Sequence, residues 1–398
     1  MPSNIASRDN PSLTAPRPPA VLQVVPALVT GGVERGTVEI AAALVRAGWR
    51  AVVASSGGPM VRELERAGAE HITLPLAAKN PVTIYRNISR LARLIEDQAI
   101  DLVHARSRAP AWSAYYAARR TGRPFVTTMH NIYGGGSVWK RRYNSVMTRG
   151  ERVIAISRFV AEHAAKTYHL DPARLTVIHR GVDLQRFDPG AVHPSRLVAL
   201  AKEWRLRDGA KIIMLPGRLS RWKGHGELLE AVARLKRADV QVIFVGNDQQ
   251  HPDFRRSLEQ RILHLGLAGI AFMVGETRDM PAAYMLADVV VSPSTEPEGF
   301  GRIVVEAQAM GRPVVATSHG GAMETIVAGE TGWLVPPRDI PALTGALSQV
   351  LALSPEEREV LAARCRAAMI AGFDANFMGD ATLKLYTELL FPDLASNA

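Results

Sequence analysis

Short apolar, β-branched runs recur along this chain, each closed by glycine, proline or a small polar residue and followed by a stretch with apolar positions three and four apart. Strand and helix signals alternating in this way predict an α/β fold with parallel sheets. The pattern begins twice. Val21–Pro26 runs into Gly31-Gly32 and a helix over Glu34–Ala47; Lys211–Pro216 runs into Gly217-Arg218, then Lys223-Gly224 and a helix over Gly226–Lys236. Each is strand, glycine loop, helix, the opening of a doubly wound domain. Further strands are expected at Arg50–Ala54, Leu102–His104, Phe125–Thr128, Arg152–Ala155 and Thr176–Ile178, and in the second half at Val240–Val245, Ala271–Val274, Val289–Ser292, Pro313–Ala316 and Gly332–Val335. Two such domains imply a cleft between them, beyond the carboxyl ends of the strands. Neither opening contains Gly-x-Gly-x-x-Gly, which disfavours a dinucleotide-binding oxidoreductase.

The segment richest in chemistry is Glu298 to Glu306. It follows the apolar run Ala287–Ser294, which reads as a buried strand, and it leads into a helix over Arg302–Met310. On one continuous helix the two carboxylates would stand about 12 Å apart and about 80° out of phase, so sharing a site requires the loop. Gly299 and Gly301 permit that loop and let a ligand approach the free amides at the helix start. Carboxylates accept hydrogen bonds from hydroxyls, and the amides face an anion, a combination suited to a phosphorylated polyhydroxy ligand. Arg218 and Lys223, just past a strand end and at a helix start, supply the cations that a diphosphate needs.

This segment closely resembles the Glu-x7-Glu signature of retaining GT-B glycosyltransferases, in particular family GT4. The flanks Ser292-Pro293-Ser294 and Glu306-Ala307-Gln308-Ala309-Met310-Gly311-Arg312-Pro313-Val314-Val315-Ala316 fit the same family, as do Gly217-Arg218-x4-Lys223-Gly224 and the linker around Gly181-Val182-Asp183. The resemblance implies two Rossmann-like domains: a disordered lead-in over 1–19, an acceptor domain over 20–187, a nucleotide-sugar domain over 188–377, and a last helix, Asp380–Leu390 within 378–398, packing back on the first domain. It implies a sugar transfer from a nucleoside diphosphate sugar without a cofactor. Glu306 would hold the ribose hydroxyls; Glu298, with the amides of Phe300 and Gly301, the donor sugar; Gly31 and Gly32 the donor phosphates; and Gly275-Glu276-Thr277 the base. His130, after the strand Phe125–Met129, would hydrogen-bond the donor sugar near the reacting carbon.

The glycosidase mechanism, which needs a carboxyl pair flanking the scissile bond, is rejected because one carboxylate belongs to the nucleotide end. No Asp-x-Asp pair occurs, so cations and amides are expected to take the place of a metal. Two departures from the family stand out. His179-Arg180 replaces the usual Pro-Asn, and a longer polar loop, Asn247–Asp253, replaces a short Gly-Pro turn. Competing readings are a nucleotide-sugar epimerase or hydrolase on the same fold, which lacks the combined motifs, and a non-catalytic membrane or nucleic-acid binder, for which intact donor residues would be pointless.

Charge adds a partner. The chain has 398 residues and a net charge of +10, and the segment Lys79–Arg149 alone holds thirteen Lys and Arg against three acids, the whole excess. That is either a solvated surface or a platform for an anionic partner, a membrane lipid or an acidic acceptor. The acceptor expected on this ground is lipid-linked or a lipopolysaccharide core at the inner membrane face. No zinc-finger, helix-turn-helix or RNA-binding signature accompanies the charge, so nucleic acid is not expected. Residues 1–19 carry no apolar stretch resembling a signal peptide. The one cysteine, Cys365, excludes an intramolecular disulfide and reads as a helix packing residue. The expected location is the cytoplasm.

Overall fold

The computed structural model describes residues 17–29, 31–133, 136–247 and 252–395. Thirteen parallel strands form two sheets. The first comprises β1 (Ala20–Val24), β2 (Arg50–Ser55), β3 (Glu70–Thr73), β4 (Leu102–Ala105), β5 (Phe125–Met129), β6 (Arg152–Ala155) and β7 (Leu175–Val177), in the order β3-β2-β1-β4-β5-β6-β7. The second comprises β8 (Lys211–Pro216), β9 (Val240–Val245), β10 (Ala271–Gly275), β11 (Val289–Ser292), β12 (Val314–Thr317) and β13 (Trp333–Val335), in the order β10-β9-β8-β11-β12-β13. Residues of β1, β9, β11 and β12 are buried, because helices cover both faces of each sheet. Strand order reverses between β1 and β4 and between β8 and β11. The crevice beyond those strand ends is where doubly wound sheets bind ligands, and the loops after all four strands carry candidate site residues.

Two elements differ from expectation. The edge strand β3 was not expected: its residues Glu70, His71, Ile72 and Thr73 are partly or fully exposed, so it lacks the apolar signature of the central strands. The final long helix runs over Ala375–Leu390, starting at the Asp374 N-cap rather than at Asp380. Residues 1–16 of the expected lead-in lie outside the described residues, and Arg17 forms an ion pair with Asp101 at 2.6 Å.

The helix Ala375–Leu390 lies against the first sheet's helix Gly32–Arg46. Met378, Leu385 and Tyr386 share a core with Val21, Val38 and Leu44. The two helices approach so closely that a Cβ on Gly379 would come within 2.9 Å of the Ala43 Cβ. Cys365 is buried on the helix Pro355–Gly372, and burial pushes its thiol up to about 12, consistent with a packing role. Among the described residues no helix is long and apolar enough to cross a membrane.

Candidate active site

The second-domain half of the site grows out of β11. Gly301 takes a left-handed conformation (φ 84°) and starts the helix Arg302–Ala309, turning the chain between Glu298 and Glu306. Glu298 is held from behind by the amide of Gly321, which donates to its carbonyl at 2.9 Å. Its side chain is half-buried and accepts two hydrogen bonds on Oε1, from Lys223 Nζ at 2.7 Å and from Ser294 Oγ at 2.5 Å. Burial alone would raise the Glu298 pKa; the Lys223 ammonium and the two hydrogen bonds outweigh it, leaving the carboxyl below its usual value and ionised. The Lys223 ammonium also lies over the Trp222 ring, 4.6 Å from its centre.

Glu306 belongs to a different network. Tyr284 Oη donates to its Oε2 at 2.9 Å, and Arg302 Nε lies 3.4 Å from its Oε1. Arg302 reaches across the cleft to Glu39, at 3.1 Å, on the first-domain helix Gly32–Arg46. Glu39 Oε2 and Arg302 Nη1 are both buried without a partner among the described residues, so this network has spare capacity for a polar ligand. Burial, then the neighbouring Glu306 carboxylate, pushes the Tyr284 hydroxyl well above its ordinary value and keeps it a donor.

The first-domain half is centred on a pair of buried guanidiniums. Arg106, just past β4, and Arg180 are each only 3% exposed. Arg106 Nη1 donates to Gln23 Oε1 at 3.2 Å; Arg180 donates from Nη1 to the Gly32 carbonyl and from Nη2 to His130 Nδ1 at 2.7 Å. Burial, with Arg302 and Arg106 nearby, brings the Arg180 pKa down to about 9, still cationic at neutral pH. Burial, then Arg180, Arg106 and His104, pushes His130 well below the usual histidine value, so its ring is neutral. His104 is fully buried between Tyr386 Oη at 2.5 Å and Thr128 Oγ1 at 2.7 Å, which ties the last long helix to this corner.

The two halves meet along the Glu298–Gly301 loop. Gly299 lies so close to the His130 backbone that a Cβ would come within 2.7 Å of the His130 carbonyl oxygen, and Ser157 Oγ donates to the Gly299 carbonyl at 2.6 Å. Glu324 accepts from the amides of Arg158 and Phe159, both at 2.9 Å, at the start of the first-domain helix Arg158–Tyr168, and contacts His179 Nε2 at 2.8 Å. Burial would raise Glu324, but these hydrogen bonds prevail and hold it below its usual value.

The structure therefore brings His130, Gly299, Gly32 and the Arg302 end of the Glu306 helix to one junction; a Cβ on Gly32 would lie 3.6 Å from Arg302 Cδ. Lys223 and Glu298, read from sequence as phosphate and sugar ligands, are in direct contact with each other. Gly31 starts the helix Gly32–Arg46 in an extended conformation (φ 166°). The Phe300 ring is buried against His179 and Phe373, so a ligand would meet its backbone. Arg218 is exposed on the loop after β8. Gly275 ends β10 at a register shift, and its carbonyl accepts from Gly246, which in turn abuts Gly217, so the three strand ends form one rim. Residues 248–251 of the polar Asn247–Asp253 loop lie outside the described residues.

Sequence reasoning missed Glu39, Tyr284, Arg302, Arg106 and Glu324 as site residues. Arg302 lay inside the signature segment and Arg180 was a visible departure from the family; nothing in the sequence marked Glu39 or Glu324. The basic segment also divides: Arg106 is buried and Arg108 and Arg123 are half-buried, whereas the other ten cations are exposed. Among the described residues no group of three or more His, Cys, Asp or Glu could hold a metal ion.

Residues 30–186 match the model of Glycosyltransferase Family 4, and residues 199–367 match that of Glycosyl transferases group 1. A solved glycosyltransferase from Rickettsia africae is 37% identical, with a TM-score of 0.87, covering 94% of this chain and 99% of that one. The Alr3699/HepE protein of Anabaena, solved with UDP-glucose, is 24% identical, with a TM-score of 0.81, covering 93% and 99% of the two chains. A D-inositol 3-phosphate glycosyltransferase of Mycolicibacterium vanbaalenii is 32% identical over 279 residues, 64% of this chain and 60% of its own length, so the chain spans less than two thirds of that relative. With the GT-B architecture in place around these motifs, the chain belongs to glycosyltransferase family 4, with a group 1 glycosyl transferase domain as its second half.

Proposed function

We propose that this protein transfers a sugar, with retention of anomeric configuration, from a nucleoside diphosphate sugar to an acceptor held by the first domain, without a metal or other cofactor. The observation that carries this reading is the cleft-facing array of Lys223 with Glu298, Glu306 with Tyr284 and Arg302, and His130 joined through Arg180 to the Gly32 carbonyl. Lys223, Arg218 and the amides at the starts of the helices would neutralise the departing diphosphate. Glu306 would accept from ribose hydroxyls, and Glu298 with His130 would hold the sugar. Retention rests on the family resemblance. UDP-glucose is the first donor to try, because the HepE relative was solved with it.

A lipid-linked or lipopolysaccharide-core acceptor is favoured by the helix Val138–Asn144. It exposes Val138 (77%) and Trp139 (78%) beside Lys140, Arg141 and Arg142, the pairing of apolar and cationic groups that interfacial helices use. An acidic small acceptor is the second reading, favoured by the inositol phosphate named for the relative. Thermal shifts with UDP-, GDP- and ADP-sugars test the donor: a ligand at 100 times its Kd adds about 2.7 kcal/mol. No shift with any of them, or loss of activity in EDTA, would overturn the reading.

A further inference from the structure

His130 presents two ring nitrogens in unlike surroundings. Nδ1 lies 2.7 Å from Arg180 Nη2, and Nε2 is cut off from solvent with no partner among the described residues. A guanidinium can only donate, so Nδ1 must be the acceptor and, in a neutral ring, the proton must reside on Nε2. The other arm of the same planar fork, Nη1, donates to the Gly32 carbonyl, so Arg180 is fixed at both ends and cannot swing away from the ring. On its backbone side, the His130 amide donates to Tyr133 Oη at 3.4 Å. The charged and titratable groups around the imidazole are Arg180, Arg106, His104 and Tyr133. No carboxylate is among them to draw a second proton onto the ring.

We infer that Arg180 is a positioning residue that locks His130 in the Nε2–H tautomer, so that His130 offers the bound sugar a hydrogen-bond donor and does not serve as a general base. Nδ1 is already occupied, and Nε2 already carries its proton, so neither nitrogen can accept one from a substrate hydroxyl. An unpartnered buried donor is costly unless something completes it, and an oxygen of the donor sugar does so. This identification of the ligand rests on the proposed transferase reading; the tautomer does not.

The test uses the full chain labelled with 15N-histidine, without ligand. His130 is assigned by difference from His130→Gln, and its nitrogens are followed from pH 8 to pH 5.5. Expected is a pyridine-like Nδ1 and a protonated Nε2 that do not titrate. Arg180→Met should give mixed tautomers, because Nδ1 loses the donor that fixes it as acceptor, and Arg180→Lys, which keeps one donor, should restore the wild-type pattern. In UDP-glucose hydrolysis, Arg180→Met should lower kcat about 100-fold with little change in KM. His130→Gln, whose amide nitrogen reaches the Nε2 position, should keep more activity than His130→Asn. A proton on Nδ1 in the wild type, or a cooperatively folded Arg180→Met chain with the wild-type tautomer, would overturn the inference. If Arg180→Met does not fold, the wild-type spectrum and Arg180→Lys decide. If UDP-glucose is not turned over, the donor reading fails while the tautomer result stands.

Discussion

Lys223 Nζ and Glu298 Oε1 lie 2.7 Å apart, with both side chains about 15% exposed, at 14% and 16%, so a cation expected at the phosphates is bound to a carboxylate expected at the sugar. A diphosphate held by Lys223, as proposed, would share or displace Glu298 as its partner. Removing one member of a buried pair strands the other, at a cost of about 3 to 5 kcal/mol. Lys223→Met and Glu298→Gln should each destabilise the protein by about 3 kcal/mol in urea unfolding, and the double variant by clearly less than the two together. Additive losses would show that the pair is not coupled.

Glu306 already accepts from Tyr284 and sits beside Arg302, so its replacement removes charge without opening a void. Charge-assisted hydrogen bonds contribute about 1.5 to 3 kcal/mol each. Glu306→Gln should weaken UDP-glucose binding by about 10- to 200-fold in calorimetry while leaving the melting transition cooperative. Unchanged affinity would take Glu306 out of the nucleotide site.

Stability should fall on the acid side of pH 6.5. His104 and His130 are held well below the ordinary histidine value, mainly by burial, and His225 is lowered to about 4, also mainly by burial. Below the unfolded value of about 6.5 the unfolded chain binds protons that these rings refuse, so each subtracts up to about 1.4 kcal/mol per pH unit until its folded value is reached. Glu324, whose folded value is likewise lowered, adds a second loss at lower pH: its stabilising effect is complete above the ordinary carboxyl range and vanishes as pH falls through its lowered value. Urea midpoints should stay level from pH 8 to about pH 7 and decline from about pH 6.5 to pH 4, with His104→Gln reducing the slope in the upper part of that decline. A flat profile between pH 6.5 and pH 5 would contradict this account.

Replacing Trp139 by Ala, and Lys140, Arg141 and Arg142 by Ser, should release the protein from anionic vesicles, since each engaged cation adds about 1 kcal/mol at low salt. Hydrolysis of UDP-glucose in solution should be spared. Wild-type protein that ignores anionic vesicles at low salt would leave the basic surface to an acidic acceptor.

The hydrophobic pattern was enough to determine the doubly wound plan, because central parallel strands such as Val240–Val245 are buried on both faces and are therefore apolar at all but one position, Gln241. The edge strand Glu70–Thr73 escaped for the converse reason: every one of its residues is partly or fully exposed and its composition is free to be polar. Around the site, the local signals of Gly301, Glu298, Glu306 and Lys223 could be read because turn chemistry and motif spacing are properties of contiguous residues. The partners of those residues could not. Glu39 meets Arg302 across 263 positions and Glu324 caps a helix start 166 positions away, and nothing local to either glutamate distinguishes it from a solvated surface acid. The neutral, donor-bearing state of His130 was likewise invisible, because it is set by burial and by a guanidinium 50 positions along the chain that only the packing of the linker against the first sheet brings to 2.7 Å.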